Sequence, residues 1–202
     1  MKRAFLTILL AALPAAAQWR HFGSDTTRAT GFFGAGFASP INPVARQLDT
    51  GWTLSGGVGV TRDYFGVTLD AMFADFGINH RALLAAGVPR GDQKYWSLTV
   101  DPVLHVNPRG PVDFYITGGG GLYSQITEFR GGYGYGGPFG GRDDVIASNT
   151  VYKPGVDGGA GFAFNVGYSR TVKIFAEARF HHMFFHYGPG ASFIPVTVGV
   201  RF

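Results

Sequence analysis

Apolar and polar residues alternate with a period of two through much of the chain, most regularly in its last ten residues, "FIPVTVGVRF". Successive side chains of a strand point to opposite faces, so one face of this segment carries Ile194, Val196, Val198, Val200 and Phe202. The pattern predicts a half-buried β-strand. An edge strand of a soluble sandwich or barrel has the same alternation, so this segment alone does not show which kind of β-protein contains it.

Eight such extended runs follow one another, and their connections alternate between short and long. The short connections, rich in turn-forming Asn, Pro, Gly, Asp and Ser, are 62–64, 107–111 and 168–171. The long ones are 39–49, 77–92, 128–154 and 186–192. The predicted strands are 30–38, 50–61, 65–76, 93–106, 112–127, 155–167, 172–185 and 193–202. This alternation is typical of transmembrane β-barrels, which have short periplasmic turns and longer extracellular loops.

The N-terminus has the layout of a secretory signal peptide, with basic Lys2 and Arg3, an apolar run and an Ala-x-Ala pattern ending at Ala17. We expect residues 1–17 to be removed and 18–202 to form the barrel domain. The alternative is an uncleaved membrane anchor. Loss of the two basic residues lowers the formal net charge from +4 to +2, so charge does not favour a nucleic-acid partner.

The composition differs from that of an ordinary soluble domain. The chain has no cysteine, which excludes disulfides and thiolate metal sites. Charged residues make up 15%, against about 25% in ordinary soluble domains. Glycine is frequent, at 32 residues, and aromatic residues reach 15%. The apolar residues are spread in alternation, and no segment after the leader is long and apolar enough for a membrane-spanning helix.

A membrane barrel and a lipocalin-like soluble barrel differ in which face of the strands points outward. The polar face is rich in Gly, Ala, Ser and Thr, and small residues suit the narrow interior of an eight-stranded barrel. Bulky aromatics gather at predicted strand ends, as in the interfacial girdles of membrane proteins. By the long connections these are Trp52, Phe73, Tyr95, Trp96, Phe184 and Phe193, and by the short turns Phe65, Phe114, Tyr168 and Phe202.

Together these features resemble the small eight-stranded outer-membrane barrels of Gram-negative bacteria, the superfamily of the outer-membrane protein A transmembrane domain. The resemblance implies an all-β, antiparallel up-and-down transmembrane barrel that contacts outer-membrane lipid and lipopolysaccharide as a monomer. It also implies that the barrel-insertion machinery reads an assembly signal in the last strand. The corresponding residues here are Val196, Val198, Val200 and Phe202.

Charged residues on the predicted inward face form the candidate site. Buried charges must pair and hydrogen-bond, because their desolvation is costly. We expect an ion network that plugs the lumen. The alternative is a gate in a narrow ion or small-solute channel, whereas a wide porin needs about 16–18 strands. The residues are Asp70, Asp101, Asp113, Asp157, Glu177, Arg179 and Arg201.

Enzymatic, metal and cofactor roles find less support. His181 and His182 are adjacent and should point to opposite faces, so they do not form a shared metal site. Lipid A deacylase barrels place a serine two residues after a strand histidine, but here those positions hold Met183 and Phe184. The GxGxxG spacing within 132–137 lacks a strand–turn–helix context. We therefore expect no catalysis, metal or cofactor.

Two further segments bear on function. The glycine run 118–121 lies inside a predicted strand, where glycine marks a bend or a close approach of backbones. The long connections carry cations that could bridge lipopolysaccharide phosphates, or could simply be solvated: Arg46, Arg81, Arg90, Arg130, Arg142 and Lys153. The sequence thus predicts a structural or surface-interaction role.

Overall fold

Eight antiparallel strands form a closed barrel in the computed structural model, which describes residues 27–41, 43–131, 144–166, 172–186, 188 and 190–202. Each strand pairs with its sequence neighbours, and β8 pairs with β1 to close the ring. The strands are β1 (Thr27–Ile41), β2 (Gly51–Arg62), β3 (Phe65–Gly77), β4 (Arg90–His105), β5 (Val112–Gly131), β6 (Asp144–Val166), β7 (Val172–Met183) and β8 (Ala191–Arg201). The predicted fold class and strand count are confirmed.

The two ends of the barrel differ, as the connection lengths predict. The short-turn end includes the β2–β3 turn, where Asp63 adopts a positive φ of 51°. The long-loop end differs from the prediction at the β5–β6 connection, expected over 128–154. There the strands continue as a paired hairpin up to Gly131 and Asp144, so the prediction of a loop over 144–154 is wrong. The β-branched and aromatic residues of that segment favour a strand.

A short helix, α1 (His80–Ala86), lies in the β3–β4 connection, where no helix was predicted. The side chain of Asn79 caps it by accepting the N–H of Ala82 at 3.0 Å. The same side chain donates to the carbonyl of Arg46 at 2.6 Å, which joins this connection to the one between β1 and β2. Among the described residues, no helix has the length and apolar character needed to cross a membrane.

The apolar face of the strands points outward and the polar face inward. Leu98 on β4 is 50% exposed, whereas Asp101 on the same strand is fully buried in the lumen. A lipocalin-like barrel would have the reverse arrangement, so that alternative is wrong. Other exposed apolar residues include Val58, Val60, Leu69, Val100, Leu104, Ile116, Leu122, Phe162, Phe164, Ile174, Phe180, Val198 and Val200.

Aromatic side chains flank this apolar surface at both ends. At the long-loop end, the Phe73 ring lies between Trp52 and Trp96, with centroid separations of 5.0 and 4.6 Å. On β4 the outward positions between Trp96 and Leu104 carry no charge, and such a span matches the roughly nine to eleven residues of a membrane-crossing strand. The other outward-facing predicted girdle residues are Phe184 at this end and Phe65 and Phe114 at the short-turn end.

Two predicted girdle residues are wrong. Tyr95 and Phe193 are 1% and 2% exposed and point into the lumen, where their rings pack at 5.1 Å. Strand alternation explains this, because Tyr95 precedes the outward Trp96 and cannot share its face. Tyr168 lies outside the described residues. Tyr152, within the predicted loop 128–154, is instead exposed on β6.

Candidate functional site: the barrel lumen

Arg179 occupies the middle of the lumen and is surrounded by four carboxylates. Alternation on β7 turns both Arg179 and Glu177 inward, and β3, β4 and β6 supply the other acids. The guanidinium lies 2.7 Å from Asp70, 2.7 Å from Asp101 and 3.6 Å from Asp157, and its Nε donates to Glu177. Five fixed N–H groups make arginine suited to such a many-sided site.

This central cluster carries more negative than positive groups. Five carboxylate oxygens, belonging to Asp70, Asp101 and Asp157, have no partner of hydrogen-bond geometry among the described residues. A neighbouring cavity of about 20 Å³ is lined by Ser97, Thr99 and Arg179, among others. That volume is close to what one water molecule needs, and the polar lining would hold it. This cavity therefore has room for about one water molecule.

Arg201 lies in a separate layer, nearer the short-turn end. Its guanidinium carbon is 4.3 Å from the centroid of the Tyr115 ring, 5.5 Å from that of Phe175 and 5.7 Å from that of Phe32. Such distances are within the range of cation–π attraction, which strengthens where water is excluded. Arg201 is predicted to belong to the ion network, but its guanidinium contacts aromatic rings instead.

Asp113 belongs to a third group at the short-turn end. Its carboxylate lies 2.8 Å from Nδ1 of His105 and 3.2 Å from Nζ of Lys173. Asp113 is one of the predicted lumen residues, whereas His105 and Lys173 are not among them. Both partners share its inward parity, on β4 and β7, so alternation could have identified them.

An aromatic layer fills the lumen at the long-loop end. The hydroxyl of Tyr123 lies 2.8 Å from Nδ1 of His181, whose ring stacks on Phe193 at 5.3 Å. Phe76 packs edge-on against Tyr95 at 5.6 Å. Leu48, from the connection between β1 and β2, is buried in the same cluster. Strand alternation predicts that Tyr123 and His181 point inward, but it does not show that these side chains and the mispredicted Tyr95 and Phe193 meet in one layer.

The seven predicted lumen residues therefore divide into three groups. Five of them form the central cluster, while Asp113 and Arg201 contact other partners. Together with the aromatic layer at the long-loop end, these groups place buried side chains from several strands inside the barrel. Such an interior can resist solute passage and fix the relative positions of the strands.

The histidines of β7 have separate environments, as their adjacent positions predict. His181 points into the lumen, and the outward His182 places Nδ1 2.8 Å from the Ser192 hydroxyl on β8. This cross-strand pair could not be read from spacing within one strand. No described carboxylate contacts the His182 ring, and no three described His, Asp or Glu residues converge as a metal site.

At the long-loop end, some of the predicted surface cations are paired. Arg130 lies 3.3 Å from both Asp92 and Glu128, and Lys94 donates to Glu128 at 2.6 Å. That hydrogen bond from Lys94 lowers the pKa of Glu128 below its usual value. Arg46 and Arg81 are exposed, Lys153 is half-buried, and Arg142 lies outside the described residues.

The closed ring of eight antiparallel strands and its outward apolar surface match the fold of the small eight-stranded outer-membrane β-barrels, which confirms the predicted resemblance at the level of fold. Neisserial surface protein A is similar, with a TM-score of 0.58 and 14% identity over 88% of this chain and 98% of that chain. A major outer membrane protein from Thermus thermophilus gives a TM-score of 0.54 and 10% identity over 86% of this chain and 98% of that one. No family model and no curated protein matches the chain.

Proposed function

We propose that the chain is an integral protein of the bacterial outer membrane that acts as a structural or surface-interaction element with a plugged lumen. Its outward apolar surface with aromatic residues at both ends supports a membrane location, as do the predicted signal peptide and the fold. The closed ring leaves no unpaired strand edge inside the bilayer, which supports a monomer. In this orientation the long-loop end faces the outside of the cell.

The observation that carries the plugged lumen is the central cluster around Arg179. Its guanidinium lies across the lumen between β7 and the acids of β3 and β4. Opening a path would separate buried charges from their partners, which is strongly unfavourable at low dielectric. The aromatic layer at the long-loop end adds a second obstruction. The role of the protein is therefore assigned to its surface rather than to its interior.

Planar-bilayer recordings test this proposal. The purified wild-type protein is expected to give no stepwise currents, because the filled lumen offers ions no continuous water. A gel-mobility shift on boiling, measured on the same sample, confirms that folded barrels were added. Steady openings that change in an Arg179→Ala variant would contradict the plug and favour the narrow channel.

The outward-facing loops supply the proposed contacts. Arg46 and Arg81 are exposed, and arginine binds phosphate oxygens in a bidentate way. We assign lipopolysaccharide phosphates as their partners, alongside the lipid that surrounds the apolar wall. No cofactor is included in the proposal.

The last strand is proposed to act as an assembly signal as well as a wall. Val196, Val198 and Val200 face outward, and Phe202 closes the seam by exchanging backbone hydrogen bonds with Gly31 at 2.8 and 2.9 Å. A Cβ added to Gly31 would lie 2.8 Å from the Phe202 ring, so this glycine leaves room for the terminal aromatic residue.

Phe202→Ala is expected to reduce the amount of folded barrel in the outer membrane several-fold, because the insertion machinery would lose the terminal aromatic residue. Boiling-dependent gel mobility of membrane fractions measures this. Phe33→Ala, which removes another outward aromatic residue from β1, is the matched control and should assemble normally. Equal amounts of Phe202→Ala and wild type would contradict the assembly role.

A further inference from the structure

The barrel wall has a step between β6 and β7 at the long-loop end. β6 pairs with β5 as far as Asp144, opposite Gly131. Its pairing with β7 begins only at Gly155, opposite Met183. The part of β6 over 144–154 therefore has a strand neighbour on one side only. A sheet edge of this kind presents unpaired backbone N–H and C=O groups.

One hydrogen bond at the base of the step identifies which groups are free. The carbonyl of Pro154 accepts the N–H of Phe184 at 3.0 Å, so residue 154 directs its backbone carbonyl toward the β7 side. Backbone groups alternate sides along a strand, and those of Tyr152, Thr150 and Ser148 consequently face the same way. Beyond the end of β7, no described residue pairs with these three.

Natural proteins protect open edges with lysine, proline, bulges or very short strands. Here those features stand only at the limits of the edge. Lys153 and Pro154 lie at its base. Near the tip, the register with β5 shifts between Phe129 and Arg130, which leaves Ile146 of β6 as the extra residue of a bulge. Between them the edge is exposed and uncharged, and Tyr152 reaches 74% exposure. The edge is thus open to an added strand.

The orientation of the barrel in the membrane determines which kind of chain can pair with the β6 edge. Two copies in one membrane point the same way, so their β6 edges would meet as parallel strands, the less stable arrangement. A free polypeptide segment can approach in the antiparallel direction. The edge begins at Pro154, which accepts the N–H of the girdle residue Phe184, and continues from there toward the long-loop end, where water and proteins have access.

We propose that the free edge of β6, Ser148–Tyr152, binds an extended segment of a partner protein as an additional antiparallel strand. Hydrogen bonds to the three free residues provide affinity, and alternate side chains provide specificity. The side chains of residues 148–152 are small or uncharged. We therefore expect the bound segment to be rich in small and β-branched residues and to carry no cluster of like charges. This inference rests on the proposed surface role, because it requires the long-loop end to face outward.

A peptide with the sequence of residues 122–131, "LYSQITEFRG", is the probe, because this segment already pairs with β6 on its other side. Fluorescence anisotropy of the labelled peptide with the full barrel in detergent micelles should show saturable binding. Thr150→Pro removes one free N–H and places a ring on the edge without touching the β5 ladder, so it should weaken binding by about tenfold or more. Thr150→Ala keeps the N–H and should bind within about twofold of wild type.

Three outcomes would overturn the proposal. They are absence of peptide binding to the wild type, equal binding to Thr150→Pro, and wild-type self-association, seen by sedimentation, that Thr150→Pro abolishes. The last would make a second copy the occupant. These outcomes are separate from the conductance test, since currents through the lumen would overturn the plugged role while leaving the edge intact.

Discussion

Arg179→Met is expected to destabilise the barrel by about 3–5 kcal/mol, enough to prevent stable folding of a marginally stable protein. The change removes the cation between Asp70, Asp101 and Glu177 and leaves their charges buried together. Urea unfolding in phospholipid vesicles measures the loss. The fluorescence of Trp52 and Trp96, at the outward surface, reports on insertion.

Two controls separate loss of the charge balance from loss of packing. Arg109→Met removes an exposed partner of Asp63, 81% accessible, and should change the free energy of unfolding by less than about 1 kcal/mol. A second variant combines Arg179→Met with amides in place of the four acids. It should recover stability relative to Arg179→Met alone, because no buried charge is left unpaired. An Arg179→Met barrel as stable as the wild type would contradict the central role of this cluster.

Gly119→Ala is expected to destabilise the barrel by about 1–3 kcal/mol through overpacking. Gly119 faces the lumen from β5, and an added Cβ would lie 2.1 Å from the carbonyl oxygen of Val100 and 2.3 Å from a carboxylate oxygen of Asp101. The substitution therefore strains the contact between β4 and β5 and displaces an acid from Arg179. The same urea titration in vesicles measures the effect.

Gly120→Ala is the matched control from the same run. Gly120 faces outward, and its added Cβ would come no closer than 3.2 Å to any atom, the carbonyl oxygen of Gly155. We expect a change within about 0.5 kcal/mol. Equal effects of the two substitutions would show that the run acts through backbone flexibility, and not through the close approach at Gly119.

In the proposals above, the lumen has a structural role and the long-loop end has a binding role. Inside the wall, Arg179, Arg201 and Lys173 each draw strands together through ionic or aromatic contacts. At the long-loop end, the hairpin of β5 and β6 extends past β7 and leaves its edge available. Such an edge is consistent with the proposed surface-interaction role.

Much of the architecture could be predicted, because alternation is a local property of a strand. Parity places Leu98 and Asp101 on opposite faces of β4, and the small and polar residues of one face then indicate that Asp101 and Glu177 point inward. Errors arose where parity was set aside in favour of residue type, as for Tyr95 and Phe193. The helix α1 was missed because it is short and depends on a cap from Asn79.

By itself the sequence determined the strand count, the closed up-and-down order and the face on which each strand residue lies. The strand count and the faces depend on period-two patterning and turn residues within short segments, whereas the closed order is what the family resemblance implies. Only the tertiary structure decided that Arg179 lies among four of the acids, that Arg201 contacts aromatic rings and that β6 extends beyond the end of β7. These features depend on the stagger between strands, which brings together residues far apart in the chain, such as Asp101 and Arg179.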